Sequence, residues 1–290
     1  MAASVLFDSP GPRTIARHRV YTVVTMVALA GVLAFMVYRL YLEEQLEYDK
    51  WEPFLTPRYI STLLIDGLFT TLQMAFTSII FAVVFGLVFG VGKLSDTPWI
   101  RWPCWAVVEF FRAVPVLLLM ILVFYSWGIS RGDSGAYWSV VVALTVYNGA
   151  VLAEVFRAGI LAVPSGQAEA AYAIGMRKSQ VMNIVLLPQA VKIMLPAIIS
   201  QCVVALKDTS LGYAVAAPGL STVGEGIYLR FANQIPTVIV IAAMYITVNL
   251  ILTWIATWVQ KKFVGEKKPL EVTAVGLADA GGGAPANLPH

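Results

Sequence analysis

The sequence predicts an all-α integral membrane protein with about six transmembrane helices. Hydrophobic residues make up 59% of the 290 residues, charged residues only 13%, and the mean hydropathy is +0.76. Soluble domains average about 25% charged residues. Five uncharged runs approach or exceed the roughly 18 residues that a helical span requires, and they cover residues 20–38, 67–92, 113–130, 134–153 and 231–260.

The predicted spans, in chain order, cover residues 20–42, 64–92, 104–129, 137–160, 189–206 and 235–259. The fifth is the weakest, because only 14 uncharged residues separate Lys192 from Lys207. Pro196 and Gln201 interrupt its apolar character further. This span is therefore predicted to lie buried among other helices rather than against lipid, with Lys192 extending to the interface.

Charge distribution predicts the orientation of these spans in the membrane. With both termini in the cytoplasm, most lysine and arginine residues fall on the cytoplasmic side, as the positive-inside rule requires; they include Arg13, Arg17, Arg19, Lys93, Arg101, Arg177, Lys178, Lys261 and Lys262. The segment Leu42 to Tyr59 is acidic, which suits an external loop.

Composition divides the chain into four parts. Residues 1–19 form a cytoplasmic N-terminal segment, and residues 20–60 form a first transmembrane helix, read as an uncleaved signal anchor, with its acidic external loop. Residues 61–262 form the transmembrane core. Residues 263–290 are rich in Gly, Ala and Pro without periodicity and are predicted to be a disordered cytoplasmic tail.

Several function classes find no support in the composition. The net charge of +3 comes from cations at span ends, so nucleic acid is not an expected partner. His18 and His290 are the only histidines and lie near the termini, while Cys104 and Cys202 are far apart in sequence. No metal site, disulfide or histidine-based catalytic group is predicted.

The second span is rich in glycine. Gly86 to Lys93 superficially resembles a phosphate-binding loop, but its spacing is one residue too long and Leu94 replaces the required hydroxyl residue. We therefore expect no ATP to bind this chain. Gly86 and Gly90 are four residues apart, a spacing that favours either close packing between helices of one chain or dimerisation.

The segment from Pro164 to Pro188 is a long, small-residue stretch between two spans. Pro164 and Ser165 suit a helix start, with the Ser165 side chain as a cap, and Gly175 suits the left-handed residue that ends a helix. A short helix from about Ser165 to Ile174 is predicted. Glu169 would be available to a cation on a partner protein. From the residue pattern alone, a helix that lies on the membrane surface explains this segment equally well.

This segment resembles the coupling segment of ATP-binding-cassette importer permeases. The matching residues are Glu169, Ala170, Ala171, Gly175, Leu187 and Pro188, in a helix that begins at Ser165. The similarity extends to Ala153–Gln167, Leu195–Leu211 and Phe110–Met120, which are similar to the polar amino-acid branch of the family. It implies a type I permease core of five spans, so the first span here looks like an addition.

The resemblance also implies a set of partners. They are two ATPase subunits, which bind ATP and magnesium, a second permease subunit that is identical or paralogous, an extracytoplasmic solute-binding protein, an amino acid, and membrane lipid. This chain itself would be non-catalytic and would bind no cofactor.

Polar residues within the spans are candidates for a substrate pathway, because such residues are costly in a bilayer unless they are paired or face a polar cavity. Alternatives remain open for each, such as Glu109–Arg112 and Glu154–Arg157 ion pairs, an interhelical hydrogen bond from Asn148, and a helix-terminal cap by residues 207–210. Pro115 is expected to open the helix next to Arg112. The candidates are Arg112, Asn148, Glu154, Lys207, Asp208, Thr209 and Ser210.

Between the last two spans, Thr209 to Gly224 is uncharged but interrupted by Gly212, Pro218 and Gly219. It predicts a short re-entrant or interfacial helix at the outer face. Together, these observations favour a permease subunit that imports a polar amino acid. Arg112 and Lys207 favour glutamate, whereas Asp208 and Glu154 would equally suit a basic amino acid. The alternatives are a transporter or channel subunit driven by an ion gradient, which would leave the Pro164–Pro188 segment without a role, and a membrane enzyme, for which no catalytic cluster is visible.

Overall fold

The computed structural model describes residues 12–264, and all regular secondary structure in that range is helical. Within this range, one compact unit comprises residues 12–77, 117–143 and 206–247, and a second comprises residues 78–116, 144–205 and 248–264. The predictions for residues 1–11 and for the tail from residue 265 onward lie outside the described residues. The four-part division of the chain stays a prediction.

Twelve α-helices, joined in places by short 3₁₀ and π segments, make up the described chain. They are α1 (Pro12–Leu42), α2 (Tyr48–Trp51), α3 (Pro57–Ser61), α4 (Thr70–Gly92), α5 (Pro98–Ala113), α6 (Val116–Val123), α7 (Gly132–Leu161), α8 (Ser165–Ala173), α9 (Lys178–Gln180), α10 (Leu187–Asp208), α11 (Leu220–Phe231) and α12 (Gln234–Val264). A π segment, Thr62–Phe69, joins α3 to α4, and a 3₁₀ segment, Thr209–Val215, extends α10.

Within residues 12–264, five segments are long and apolar enough to cross a membrane: Ala16–Leu42, Pro57–Gly92, Val116–Leu161, Lys178–Val215 and Gln234–Lys262. The third holds 46 residues, which as one straight helix would extend to about 70 Å, against a hydrocarbon core of about 30 Å.

That third segment reverses direction at Gly132, where φ is +57°. Gly128 lies against Gly135, seven residues further on, because a Cβ at Gly128 would be 2.8 Å from the Gly135 carbonyl oxygen. The segment is therefore a hairpin that contains the second half of the predicted third span and the predicted fourth span, so each of the six predicted spans overlaps one of the five segments.

Pro115 interrupts the predicted third span. Helix α5 ends at Ala113, and Val114 is extended, with φ −85° and ψ 128°. Proline disfavours helical geometry in the residue before it and cannot donate a backbone hydrogen bond. The expected opening next to Arg112 is confirmed, and the span consists of two helices, α5 and α6.

The predicted fifth span exists, but its predicted burial is wrong within this chain. The helical segment runs continuously through Lys178–Val215, yet only 11% of its most apolar window is buried. The first span, Ala16–Leu42, has none of its most apolar window buried. Both helices thus present apolar side chains outward, as helices in contact with lipid or with another subunit do.

The two polar connections are more ordered than their composition predicts. The acidic segment after the first span contains α2, a 3₁₀ turn at Glu52–Phe54 and the start of α3 rather than an irregular loop. The short helix predicted within 209–224 begins at Leu220 and continues to Phe231. Leu220 and Ile227 of this helix form a buried cluster with Leu63, and the Leu220 amide donates to Thr71 Oγ1 at 2.9 Å.

The core of the second unit lies where α4, α7 and the first half of α10 pack together. Its buried members are Ala82, Leu152, Phe156, Ile160, Val163, Ala190 and Met194. A Cβ at Gly86 would lie 2.8 Å from Leu152 Cβ, and one at Gly90 would lie 2.7 Å from the Ala153 carbonyl oxygen. The glycine pair thus serves close packing within the chain, the first of the two interpretations of its spacing.

Replacing Gly86 with leucine should therefore lower the thermal stability of the detergent-solubilised protein, because overpacking a helix contact costs about 1–3 kcal/mol. Gly31→Leu is the matched control, since no atom lies within 4 Å of a Cβ at that position. The measurement is the temperature at which each purified variant leaves the monodisperse peak on size exclusion. Equal melting of the two variants would contradict the packing role of Gly86.

Candidate functional site

Helix α8 projects an exposed surface from the second unit. It spans Ser165–Ala173 and ends near Gly175, whose φ is +82°. The Gly175 amide donates to the Tyr172 carbonyl at 2.9 Å, and the Met176 amide donates to the Ala171 carbonyl at 3.2 Å. The left-handed glycine predicted from the sequence is therefore the residue that terminates this helix.

The start of α8 differs from the prediction. Pro164 occupies the N-cap position, and no side-chain hydrogen bond caps the helix. Ser165 is consequently the first helical residue and does not act as the cap. The Pro164 carbonyl accepts a hydrogen bond from the Gln167 amide at 3.0 Å, which fixes the first turn through the backbone.

One face of α8 is anchored and the other is accessible. Ala171 is buried, and the helix packs against the π segment Val181–Leu186 that leads into α10. Ser165, Glu169 and Ala170 are exposed. Leu187 and Pro188 directly follow the π segment Val181–Leu186, at the point where the continuous helix becomes α10. The predicted coupling residues therefore lie on one anchored helix and on the helix start that follows its support.

An ion pair holds the segment after α8. Lys178 Nζ is bonded to Asp96 in the turn between α4 and α5. Gln189 Nε2 also donates to the Val185 carbonyl at 2.9 Å. The ion pair connects the segment after α8 to the turn between α4 and α5 in the same unit, while the Gln189 bond lies within the helix that supports α8.

A buried lysine joins the two predicted ion pairs into a single charge network. Arg112 Nη1 donates to Glu109 at 3.2 Å, and Arg157 Nε donates to Glu154 at 2.9 Å, as the i,i+3 spacing predicts. Lys93 Nζ donates to Glu109 at 3.2 Å and is also bonded to Glu154. We use "charge network" for these five residues.

Lys93 is the member that the sequence did not reveal. It directly follows α4, the side chain is only 5% exposed, and its partners are 16 and 61 residues away. Each carboxylate of the network therefore has two cationic partners, which makes its partial burial tolerable. A carboxylate neutralised in this way is poorly suited to carry a coupling proton or sodium ion, so the network weakens the gradient-driven alternative.

A cavity of about 540 Å³ adjoins the charge network. Lys93, Glu109, Glu154 and Arg157 form its polar wall. The other wall comes from the first turns of α5 and consists of Arg101, Trp102 and Trp105. We refer to it as the tryptophan cavity.

Asn148 is buried and hydrogen bonded. Its Nδ2 donates to the Leu144 carbonyl at 2.9 Å, and its Oδ1 accepts from Gln201 Nε2 at 2.6 Å. It is 1% exposed. The structure therefore contains a hydrogen bond between α7 and α10. This bond is the alternative that the sequence left open to a role for Asn148 in the substrate pathway.

Residues 207–210 terminate α10 in the first unit. Thr209 Oγ1 donates to the Leu206 carbonyl at 2.6 Å, and Ser210 Oγ donates to the Lys207 carbonyl at 2.8 Å. Thr209 is buried, whereas Lys207 is exposed and Asp208 is half-buried. The hydroxyl groups thus satisfy the helix end, while the charges of Lys207 and Asp208 stay available.

Ser210 also borders a second cavity, of about 570 Å³, which the sequence did not predict. Three polar side chains converge there: Tyr213 Oη lies 3.2 Å from Glu225 Oε1 and 3.2 Å from Tyr228 Oη. We call this the tyrosine cavity. Its polar groups come from the 3₁₀ segment after α10 and from α11, so only the folded first unit brings them together.

The helical hairpin, the exposed helix α8 and the charge network belong to a protein with several segments that are long and apolar enough to cross a membrane. The family model for the binding-protein-dependent transport system inner membrane component matches residues 82–265. The chain belongs to this family. Its members are non-catalytic membrane subunits, and the ATPase of the transporter is a separate chain.

Two known permease proteins are similar in sequence to this chain over most of their length. The chain is 41% identical over 223 residues to the glutamate transport system permease protein GluD of Corynebacterium glutamicum. The matched residues cover 75% of this chain and 81% of the relative. The chain is 34% identical to the probable glutamine ABC transporter permease protein GlnP of Bacillus subtilis, over 65% of this chain and 88% of the relative.

Among solved structures, the fold is similar to the crystal structure of an amino acid ABC transporter with histidines. The TM-score is 0.65 at 28% identity, and the match covers 70% of this chain and 95% of that one. The type I permease fold predicted from the sequence is confirmed.

Proposed function

We propose that this chain is the membrane-spanning subunit of an ATP-driven importer of polar amino acids, with glutamate as its principal substrate. The 41% identity to a glutamate permease, over most of both chains, is the main support for the substrate class. The accessible helix α8, anchored through Ala171 and ended by Gly175, supports the coupling role.

In the proposed transporter, two permease subunits, identical or paralogous, associate with two cytoplasmic ATPase subunits. ATP and magnesium bind to the ATPases, and an extracytoplasmic solute-binding protein delivers the amino acid. Helix α8 would lie on the cytoplasmic side of a bacterial cell membrane, and both termini would lie on that side as well. Glu169 would contact a cation in a groove of the ATPase.

The proposed mechanism converts ATPase closure into a change of access. A nucleotide can shift the two states of the permease only through a difference in affinity, so the ATPases must be mechanically connected to the spans. Helix α8 supplies that connection, since its support leads directly into α10. When ATP draws the ATPases together, α8 would move as a rigid lever and open the pathway to the binding protein.

For the substrate pathway, we propose the end of α10 and the tyrosine cavity. An amino acid carries an ammonium and a carboxylate group; Glu225 lines this cavity, and Lys207 and Asp208 precede Ser210, which also lines it, by two or three residues in the sequence. Arg112 and Glu154 also take part in the charge network, and Asn148 is bonded to Gln201; a role for these three residues in the pathway stays a prediction.

Replacing Glu225 with glutamine should raise the KM for amino-acid uptake about tenfold, since a hydrogen bond to a charged group contributes about 1.5–3 kcal/mol. The maximal rate should change less, because α8 is unaltered. Glu44→Gln is the control, an exposed carboxylate after α1. The measurement is the concentration dependence of uptake in proteoliposomes, and an unchanged KM in Glu225→Gln would remove the tyrosine cavity from the pathway.

Substrate selectivity tests the proposed function as a whole. Cells that express the complete transporter would take up labelled glutamate in the presence of excess aspartate, glutamine, arginine or histidine. We expect aspartate to compete most strongly and arginine least. Preferred transport of arginine, with no competition by the acidic amino acids, would overturn the glutamate assignment.

A further inference from the structure

Helix α5 opens with an aromatic and cationic turn at the boundary of the transmembrane helices. Trp99 is 89% exposed, and Trp102 and Trp105 are also exposed, with their rings 5.9 Å apart. Arg101 lies between Trp99 and Trp102 in the sequence. Tryptophan is enriched at the level of lipid headgroups because its ring is apolar and its N–H is polar.

The ends of the neighbouring spans locate the tryptophan cavity at that level. Lys93 directly follows the span Pro57–Gly92, and Arg157 lies one turn before the end of the span Val116–Leu161. The polar wall of the cavity is therefore formed where two spans leave the hydrocarbon core, while the apolar faces of the tryptophan rings provide the opposite wall.

The charge around this cavity is positive. The charge network has three cations for its two carboxylates, and Arg101 adds a fourth. In the described part of the chain, Arg101 makes no ion pair or hydrogen bond through its side chain. Arg157 uses only Nε in its bond to Glu154. Guanidinium groups can donate two parallel hydrogen bonds to a phosphate group.

We propose that the tryptophan cavity binds the phosphate-bearing headgroup of an anionic membrane lipid. Arg101 and Arg157 bind the phosphate, Trp102 and Trp105 pack on the glycerol backbone and the first methylene groups, and Lys93 remains bonded to both carboxylates. The volume of about 540 Å³ suits a headgroup with the start of its acyl chains.

Such a lipid would touch both helices of the charge network, α5 and α7. It would also lie close to the turn that carries Asp96, the partner of Lys178 in the segment after α8. Anionic lipid would thus stabilise the end of the bundle that supports α8. This role is independent of which amino acid is transported.

The test uses the purified transporter complex in phosphatidylcholine vesicles that contain brominated phosphatidylglycerol or, separately, brominated phosphatidylcholine. Bromine quenches tryptophan fluorescence on contact. We expect stronger quenching by the anionic lipid, and the double variant Trp102→Phe/Trp105→Phe should lose that extra quenching. Equal quenching by both lipids would overturn the proposal.

Charge variants give the second arm. Arg101→Gln should reduce the preference for phosphatidylglycerol about fivefold, as the loss of roughly 1 kcal/mol per basic residue near an anionic surface predicts. Arg101→Lys should recover most of it. Arg58→Gln, a change of the same charge at an exposed arginine on α3, should have no effect. Equal effects of Arg101→Gln and Arg58→Gln would contradict the site.

A third arm distinguishes a lipid from a soluble anion. Glycerol 3-phosphate and inorganic phosphate are added at millimolar concentration to the vesicles with brominated phosphatidylglycerol. The proposal expects the quenching to persist, because the acyl chains contribute to binding. Displacement of the lipid by either soluble anion would make the cavity a small-anion site and overturn the lipid assignment.

Discussion

Replacing Lys93 with methionine should destabilise the protein by about 1.5–3 kcal/mol, because each carboxylate loses a charge-assisted hydrogen bond but keeps its arginine partner. The variant leaves Glu109 and Glu154 without the ammonium group that joins them, while Arg112 and Arg157 can each neutralise only one. Methionine fills a similar volume, so the loss reports the charge. We expect a low yield of monodisperse protein and a large drop in its melting temperature.

Lys192→Met is the control for this change. Lys192 is an exposed lysine in α10, and replacing it removes the same charge from the second unit. The double variant Lys93→Met/Glu154→Gln should recover part of the stability, since it removes the charge of one of the two carboxylates that lost the lysine. Equal melting temperatures for Lys93→Met and Lys192→Met would show that the charge network does not support the fold.

Replacing Glu169 with lysine should reduce uptake at least about tenfold while the protein remains inserted and folded. The reversed charge would repel the cation that we place on the ATPase, and a hydrogen bond to a charged group contributes about 1.5–3 kcal/mol. Glu169 is exposed, so the permease itself loses no contact. The measurement compares ATP hydrolysis and uptake in the same proteoliposomes.

Two further variants define what a positive result means. Glu47→Lys reverses an exposed charge in the acidic segment after α1 and should leave uptake unchanged. Gly175→Val should uncouple as Glu169→Lys does, because a β-branched residue is strained at φ +82° and would shift the end of α8. Normal uptake in Glu169→Lys at normal expression would show that α8 does not couple the ATPases to the spans.

Local signals predicted much of this molecule. Apolar run length located the spans, and Pro115 and Gly175 marked a helix break and a helix end through their own backbone restrictions. Local spacing also predicted the pairs of Arg112 with Glu109 and of Arg157 with Glu154. Each of these depends on residues at most a few positions apart.

Other features depend on contacts between distant segments. Lys93 reads as an ordinary cation at a span end, and only folding brings it to Glu154, 61 residues away. Helix α11 contains two glycines, yet Leu220 and Ile227 are stabilised by packing on Leu63, so tertiary contacts outweigh weak helix propensity. The Ser165 cap was mispredicted because Pro164, one residue earlier, occupies the cap position.

We expect this chain to import an acidic amino acid by coupling its spans to separate ATPases through α8. The most direct measurement follows labelled glutamate and ATP hydrolysis together in proteoliposomes of the complete transporter, with all ion gradients collapsed. We predict uptake only in the presence of ATP and the solute-binding protein, with hydrolysis stimulated by glutamate. Uptake that needs an ion gradient and continues without ATP would contradict the claim.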